Sequence, residues 1–588
     1  MKRHNAGWPA HARKAGTIVL ALAMAGATGA RAAQPDFGPN VLVFDPATPA
    51  ATIQSALDAI AKEAEFGPGR HAVLFKPGTY AVDAQIGYYT TVAGLGLRPD
   101  DVVIEGGLRA EGLVDDAKHT DMALINFWRS LENLSVTPPN GKTRWAVSQA
   151  SPMRRVHIRG GIELMPALGG YSSGGFLADS QVDGQVTSGS QQQWYTRDSR
   201  LGSWVGAAWN MVFSGVQGAP AQSFPKPPMT TLAATPRSRE KPFLYVDAAG
   251  DYRVFKPDLR VAAAGTSWQQ GAPKGKSIAI DDFLVVRPST RTDDINRALG
   301  RGRHVLFTPG VYTLTAPLNV TRADTVLLGL GMATLVPAAG QPAIATGDVE
   351  GVAIAGLIVQ APPGGSPVLV RIGERWQEAR AKLAAVRRRR MDNPVLLSDV
   401  FFRIGGATAG SAVVSLEVNT LGTILDDVWA WRADHGDSVG WTSNRADTGV
   451  VVNGDDVTAT GLFVEHYQKH QVIWNGNAGT TIFYQSELPY DPPNQAAWMD
   501  GPVKGYASYV VAPGVGTHQA TGLGVYSYFN QKQPIVATSA ISVPVAPGVR
   551  VEDAVSVFLN GDGEITHVVN DKGAAVKPPF GTSFLPSN

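Results

Sequence analysis

Four short segments in the second half of the chain share one pattern, a mostly apolar or aromatic run leading to a distinctive fifth residue. They are Asp399-Val-Phe-Phe-Arg403, Asp427-Val-Trp-Ala-Trp431, Gly461-Leu-Phe-Val-Glu465 and, more loosely, Phe483-Tyr-Gln-Ser-Glu487. Successive starts lie 427 − 399 = 28, 461 − 427 = 34 and 483 − 461 = 22 residues apart. Such an irregular repeat fits coils of parallel strand that carry loops of different length. If the chain coils this way, the fifth positions form a ladder of Arg, Trp, Glu, Glu on strands about 4.8 Å apart. Two carboxylates that close repel when both are ionised, so one is expected to keep its proton near neutral pH. A protonated carboxyl beside an ionised one can protonate a leaving group. The alternative is a pair of solvated surface glutamates.

A second repeat operates on a larger scale. Ala51-Thr-Ile-Gln-Ser-Ala-Leu-Asp-Ala-Ile60 has helical apolar spacing and is followed by the strand and turn His71-Ala-Val-Leu-Phe-Lys-Pro-Gly-Thr-Tyr80. The same order returns as Asp294-Ile-Asn-Arg-Ala-Leu299 and His304-Val-Leu-Phe-Thr-Pro-Gly-Val-Tyr312, and Gly94-Leu95-Gly96 returns as Gly329-Leu330-Gly331. The offsets, 309 − 77 = 232 and 329 − 94 = 235, indicate a duplicated domain. The expected fold is therefore all-β, two tandem parallel β-helices with short capping helices that shield the first coil of each. The expected boundaries are a first β-helix over 34–216, a linker over 217–285 and a second β-helix over 286–588 that carries the carboxylates. Pro220, Pro225, Pro227, Pro228, Pro236 and Pro242 mark the linker as irregular.

Composition agrees with this fold. A chain of 588 residues exceeds one ordinary core, but solenoids escape that limit. With 65 glycines, 40 prolines and only 17% charged residues, turns and short strands are favoured over solvated helices. The formal charge of +1 gives no electrostatic case for nucleic acid. No cysteine is present, so stability has to come from a large core.

Residues 1–33 read as a secretory signal. Lys2, Arg3, Arg13 and Lys14 precede the apolar run Thr17 to Ala27, and Ala30-Arg31-Ala32 supplies a small-residue cleavage site near Ala32-Ala33. A secreted or periplasmic mature chain with no membrane segment is expected, with a retained anchor as the alternative. Glu374 to Arg390, a strong helix former ending in four arginines, reads as a solvated excursion between coils, or else as a contact for an anionic surface.

Two regions have the chemistry of a sugar site. In the first copy, Gln191, Gln192 and Gln193 stand beside Trp194, with Trp204 and Trp209 nearby. Hydroxyls need hydrogen bonds and ring faces stack on aromatics, although a glutamine ladder along the solenoid explains the same residues. In the second copy Trp429, Trp431, Trp441 and Trp474 surround the glutamates, with Asp434, His435 and Asp437 close by. His466 and His470 have the spacing of a helical metal pair but follow a strand and lack a third ligand, so no metal and no cofactor are expected. Asn560-Gly-Asp-Gly-Glu564 reads as a tight turn.

At these residues the chain resembles the twin β-helix exo-β-1,3-glucanases of glycoside hydrolase family 55, the laminarinases. The most specific pieces are Gly461-Leu-Phe-Val-Glu-His-Tyr-Gln-Lys-His470, Tyr484-Gln-Ser-Glu-Leu-Pro-Tyr-Asp491, and Ser190-Gln-Gln-Gln-Trp194 with Asn210-Met-Val-Phe-Ser214. The resemblance implies right-handed, pectate-lyase-like solenoids and an inverting hydrolase that removes sugars from a non-reducing end in a pocket between them. It implies Glu487 as general acid and Glu465 as its neighbouring carboxylate. A glutamine of Gln191 to Gln193 and Ser214 would hold the water, with Gln191 taken as the catalytic one. Gln192, Gln193, Trp194, Trp441, Tyr490 and Asp491 would contact a polysaccharide or oligosaccharide bound by a monomer. One tension stands: inverting enzymes hold their carboxyls about 6.5 to 9.5 Å apart, and neighbouring coils would hold them closer. The resemblance resolves it by placing the water against the first domain. A polysaccharide lyase and a non-catalytic glycan-binding solenoid are the competing readings.

Overall fold

The computed structural model describes residues 35–374 and 390–586. The expected signal segment and all but the ends of the arginine-rich stretch lie outside the described residues. Parallel strands from successive coils stack into long sheets in two solenoids. In the first, the long sheet runs from Val41–Phe44 through His71–Phe75, Thr90–Gly94, Arg129–Thr137, Met153–Ile158, Phe176–Ala178 and Gln193–Arg197 to Asn210–Ser214 and Met229–Leu232. In the second, Phe283–Val286 begins a sheet that continues through Val326–Val336, Leu396–Ile404, Ile424–Arg432, Thr458–Glu465, Gly479–Glu487 and Thr517–Phe529 to Gly548–Gly561. A further parallel sheet of the second solenoid runs from Leu318–Val320 to Ile541–Ser542.

The duplication is visible at the start of each solenoid. Helix Ala50–Ile60 buries Ile53 and Leu57 in the first core, and helix Thr292–Gly300 buries Ile295 and Leu299 in the second. Each lacks a long apolar face of its own and is held by the coil it covers. The 217–285 stretch, expected as an irregular linker, is stranded instead. Met229–Leu232 completes the first solenoid, and Phe243–Val246, Tyr252–Pro257 and Gly275–Ala279 form an antiparallel sheet. The prolines fall mostly between these strands or in edge strands, where a missing N–H costs nothing.

The repeated segments begin at residues with left-handed backbone. Asp399, Asp427, Gly461 and Phe483 have φ of 51°, 55°, 71° and 62°, and Gly522 and Asp553 continue the row at 73° and 54°. This extra residue resets the in-out alternation of the strand. Leu397, Val400 and Phe402 therefore point into the solenoid, while Phe401 joins a cluster with aromatic residues of the first solenoid. Both faces of the sheet are buried, so its strands are apolar almost throughout.

Close approach of the two solenoids depends on glycine at two of these positions. A Cβ on Gly461 would come within 2.8 Å of the Phe176 ring, and one on Gly522 within 2.6 Å of Val212. Beside this apolar contact lies a buried ionic one. Arg154 donates to Asp399 at 2.7 Å and to Asp426 at 2.8 Å, and Arg197 donates twice to Asp426, at 2.8 and 2.7 Å. Lys241 pairs with Glu132 at 2.7 Å and with Asp399 at 3.1 Å.

Candidate active site

The register makes the ladder of fifth positions real. Arg403 pairs with Trp431, Trp431 with Glu465, Glu465 with Glu487, and Glu487 with Tyr526. The two glutamates therefore occupy adjacent rungs, on the side of the second solenoid that faces the first.

Their environments differ. Glu465 is buried and accepts two N–H donors, Gln149 Nε2 of the first solenoid at 2.7 Å and Trp429 Nε1 at 2.8 Å. Burial pushes its carboxyl up to about 8, against the pull of the Trp429 donor. Glu487 is partly exposed, and both burial and the Glu465 charge push its carboxyl well above the usual range. One negative charge suits the pair. The donors on Glu465 localise it there and leave the proton on Glu487.

The first solenoid supplies neutral polar groups opposite the pair. Gly174 lies against Phe463 and Gln149, and Gln193 Nε2 donates to Ser173 Oγ at 2.8 Å. Gln193 Oε1, Asn210 Oδ1 and the Tyr526 hydroxyl are buried without a hydrogen-bond partner among the described residues. Gln193 and Asn210 are register neighbours, Asn210 donates to Gly522 O at 3.0 Å, and Trp209 packs on Tyr526 at 5.4 Å. Buried polar atoms in want of partners mark where a water or a sugar hydroxyl would be bound.

On the other side of the pair, Trp431 stacks on Trp429 at 5.2 Å and under Phe66 of the first solenoid at 6.4 Å, with rings parallel to within 1°. His435 stands between Asp434 at 2.9 Å and Glu65 at 2.7 Å. Burial works against its charge, but these two carboxylates outweigh it and push the imidazole up to about 10, while Asp434 is held down to about 2 by His435 and His466 despite its own burial. Around the rim, Arg432 grips Asp491 with two bonds of 2.9 and 2.8 Å and lies over Trp441 at 5.8 Å; Tyr490 packs edge-on against His466 at 4.4 Å.

The expected site residues thus divide. Glu465, Glu487, Gln193, Trp441, Tyr490 and Asp491 come to the cleft or its rim. Gln191 does not offer a free amide, because Oε1 accepts Gly174 N at 2.9 Å and Nε2 donates to Val147 O at 3.1 Å; it shapes the loop that carries Ser173. Gln192 is half-buried, and its backbone bridges Ser172 and Trp209. Trp194 belongs to the interior of the first solenoid and has no face for a sugar. Ser214 is fully buried, its hydroxyl shared between Tyr195 at 2.7 Å and Thr235 at 2.8 Å, so it is not available to hold a water. Gln149, Glu65 and Phe66 were not read from the sequence. Each reaches its partner across more than 300 residues, and no local pattern points to them.

Twin parallel solenoids with an acid pair buried in the cleft between them define a pectate-lyase-like β-helix protein built for carbohydrate chemistry. Comparison with known proteins narrows this. A model of the LAM55 pectate lyase-like domain matches residues 283–487. An exo-β-1,3-glucanase of Streptomyces sp. (strain SirexAA-E / ActE) is 51% identical over 556 residues, 94% of this chain and 89% of that protein. The solved structure of sacteLam55A from Streptomyces sp. SirexAA-E aligns with a TM-score of 0.89 at 51% identity, covering 94% of this chain and 98% of that one. A glutamate-to-alanine variant of that protein in complex with glucose aligns with a TM-score of 0.88 at 49% identity over the same shares. The chain belongs to glycoside hydrolase family 55.

Proposed function

We propose that this protein is a secreted or periplasmic exo-β-1,3-glucan hydrolase that acts with inversion at the non-reducing end and works as a monomer. The observation that carries the reading is the acid pair on adjacent rungs, with its charge held on Glu465 and its proton on Glu487. Glu487 gives that proton to the glycosidic oxygen as the bond to the anomeric carbon breaks, and a water forms the new bond to that carbon while the proton it loses goes to the ionised Glu465. Rungs about 4.8 Å apart leave no space for that water between the carboxyls. The attacking water is therefore assigned to the first solenoid's side of the cleft, among Gln149, Ser173 and Gln193. The 51% identical relative named an exo-β-1,3-glucanase, and the glucose complex of its close structural counterpart, support the substrate class. Residues 1–33 support export.

Purified protein incubated with laminarin is expected to release glucose as the α-anomer first, seen by proton NMR before mutarotation. β-Glucose as the first product would overturn inversion. An unsaturated product absorbing in the ultraviolet would replace hydrolysis by elimination.

A further inference from the structure

The ladder lies along a cleft that is closed at one end and open at the other. On the open side of Glu487, Tyr490, Tyr528 and Trp209 remain partly exposed. On the other side, Trp431 and Arg403 are buried beneath the first solenoid. The cover there is the loop of residues 61–70, which follows the capping helix.

That loop is seated by specific features of both solenoids. Tyr89 donates its hydroxyl proton to Glu65 O at 2.5 Å, and Arg70 holds Gly67 O at 2.9 Å and Gly69 O at 2.7 Å while reaching Thr334 of the second solenoid at 3.1 Å. Phe66 sits in a slot floored by Gly406 and Gly436. A Cβ on either glycine would approach the Phe66 ring to 2.9 or 2.7 Å. Both glycines have left-handed backbone, φ 80° and 94°, so the slot needs glycine for two reasons. The ring then lies parallel to Trp431, and the Glu65 carboxylate takes His435 Nε2 at 2.7 Å. A groove in a β-helix that continued past Trp431 would admit a polymer along its length. Here an aromatic ring and an ion pair stand across it one rung from Glu465.

We infer that Glu65 and Phe66 form the end wall that turns the cleft into a pocket, and that they are the residues restricting cleavage to chain ends. The inference rests on the glucanase reading. The terminal sugar lies at the Glu465 and Glu487 rungs with its far side toward the wall that Phe66 and His435 build over Trp431, and the rest of the chain leaves past Glu487 and Tyr490. With the wall removed, an internal stretch of β-1,3-glucan can lie through the cleft.

The test uses β-1,3-linked glucohexaose, free or with its terminal non-reducing glucose 3-O-methylated, and the full-length protein. Wild type is expected to cleave the free hexaose and to cleave the capped one at least about a hundredfold more slowly. Glu65→Ala/Phe66→Ala is expected to narrow that ratio to within about tenfold and to release oligosaccharides from the capped substrate, read by chromatography. Gly436→Ala, which pushes Phe66 from its slot without altering the wall residues, is expected to move the ratio the same way and decides the matter if the double variant fails to fold. Inactivity of folded wild type on the free hexaose would sink the glucanase reading. Active variants that keep the hundredfold preference would sink the end wall alone.

Discussion

Two groups of buried acids lie on the same wall of the second solenoid, and the first solenoid treats them in opposite ways. Asp399 and Asp426 meet arginines. Against the cost of burial, Arg197 and Arg154 hold Asp426 down to about 2, and Asp399 is likewise lowered by Arg154 and Lys241. Glu465 accepts only neutral N–H donors, Gln149 and Trp429, and both it and Glu487 rise. Burial is common to the two groups. What separates them is the charge of the donor that crosses the cleft, which decides whether a buried acid glues the solenoids together or keeps a proton to give away.

The largest break in this comparison comes from Glu487→Gln. An amide keeps the shape but has no acidic proton, so laminarin hydrolysis should fall by about a hundredfold or more while circular dichroism and melting stay near wild type. Near-normal activity in the folded variant would remove Glu487 from the mechanism.

In the ionic group the effect should be on stability. Arg197 also pairs with Glu240 and Asp198, so Arg197→Met leaves both, and one side of Asp426, without their arginine in a buried interface, at a cost of about 3–5 kcal/mol. Thermal unfolding should show a clear drop, and the pH-rate profile of the remaining folded enzyme should keep its shape. A shifted profile would mean that the two groups are coupled.

Glu465→Gln tests the coupling within the acid pair. The Glu465 charge disfavours ionisation of Glu487, so removing it lowers the pKa of the acid. The alkaline limb of kcat against pH should move to lower pH by about one unit or more, in addition to a loss of rate. An unmoved limb would separate the carboxylates electrostatically.

The smallest effect is on the pH dependence of stability, where the two groups have opposite signs. Glu487, held well above the usual carboxylate range by burial and by Glu465, keeps in the folded state a proton that the unfolded chain, with a pKa of about 4.3, releases, so stability falls as pH rises above that value. Asp426 at about 2 contributes stability that is present above the unfolded value of about 3.9 and lost as pH falls toward 2. Melting midpoints of Glu465→Gln/Glu487→Gln should be flatter than wild type between pH 5 and 8 and equally acid-sensitive below pH 4.

The fifth-position ladder and the duplication were legible because both are periodic, and a solenoid turns sequence period into spatial neighbourhood. The choice of Asp, Asp, Gly and Phe as first residues of the repeat was visible but had no reason until the backbone showed them all left-handed. Gln149 was invisible for the opposite cause. Its contact with Glu465 exists only because two solenoids lie side by side, and nothing in the spacing of either one encodes the other's register. Ser214 and Trp194 were misplaced for a related reason: strand alternation alone does not say which face of a doubly buried sheet is the cleft.

The spacing of the acid pair also limits how this chain can change length. From Glu465 to Glu487 is 487 − 465 = 22 residues, whereas the coils on either side, Trp431 to Glu465 and Glu487 to Tyr526, are 465 − 431 = 34 and 526 − 487 = 39. Gln360 to Arg403, the coil holding the arginine-rich stretch, is 403 − 360 = 43. Insertions have room at the turns of those longer coils without disturbing the order of the rungs. Inside the strand Gly479–Glu487, a single added or lost residue between Phe483 and Glu487 would turn the acid to the opposite face. Length can be added at the turns of the longer coils, but not within the strand whose register aims the acid at the cleft.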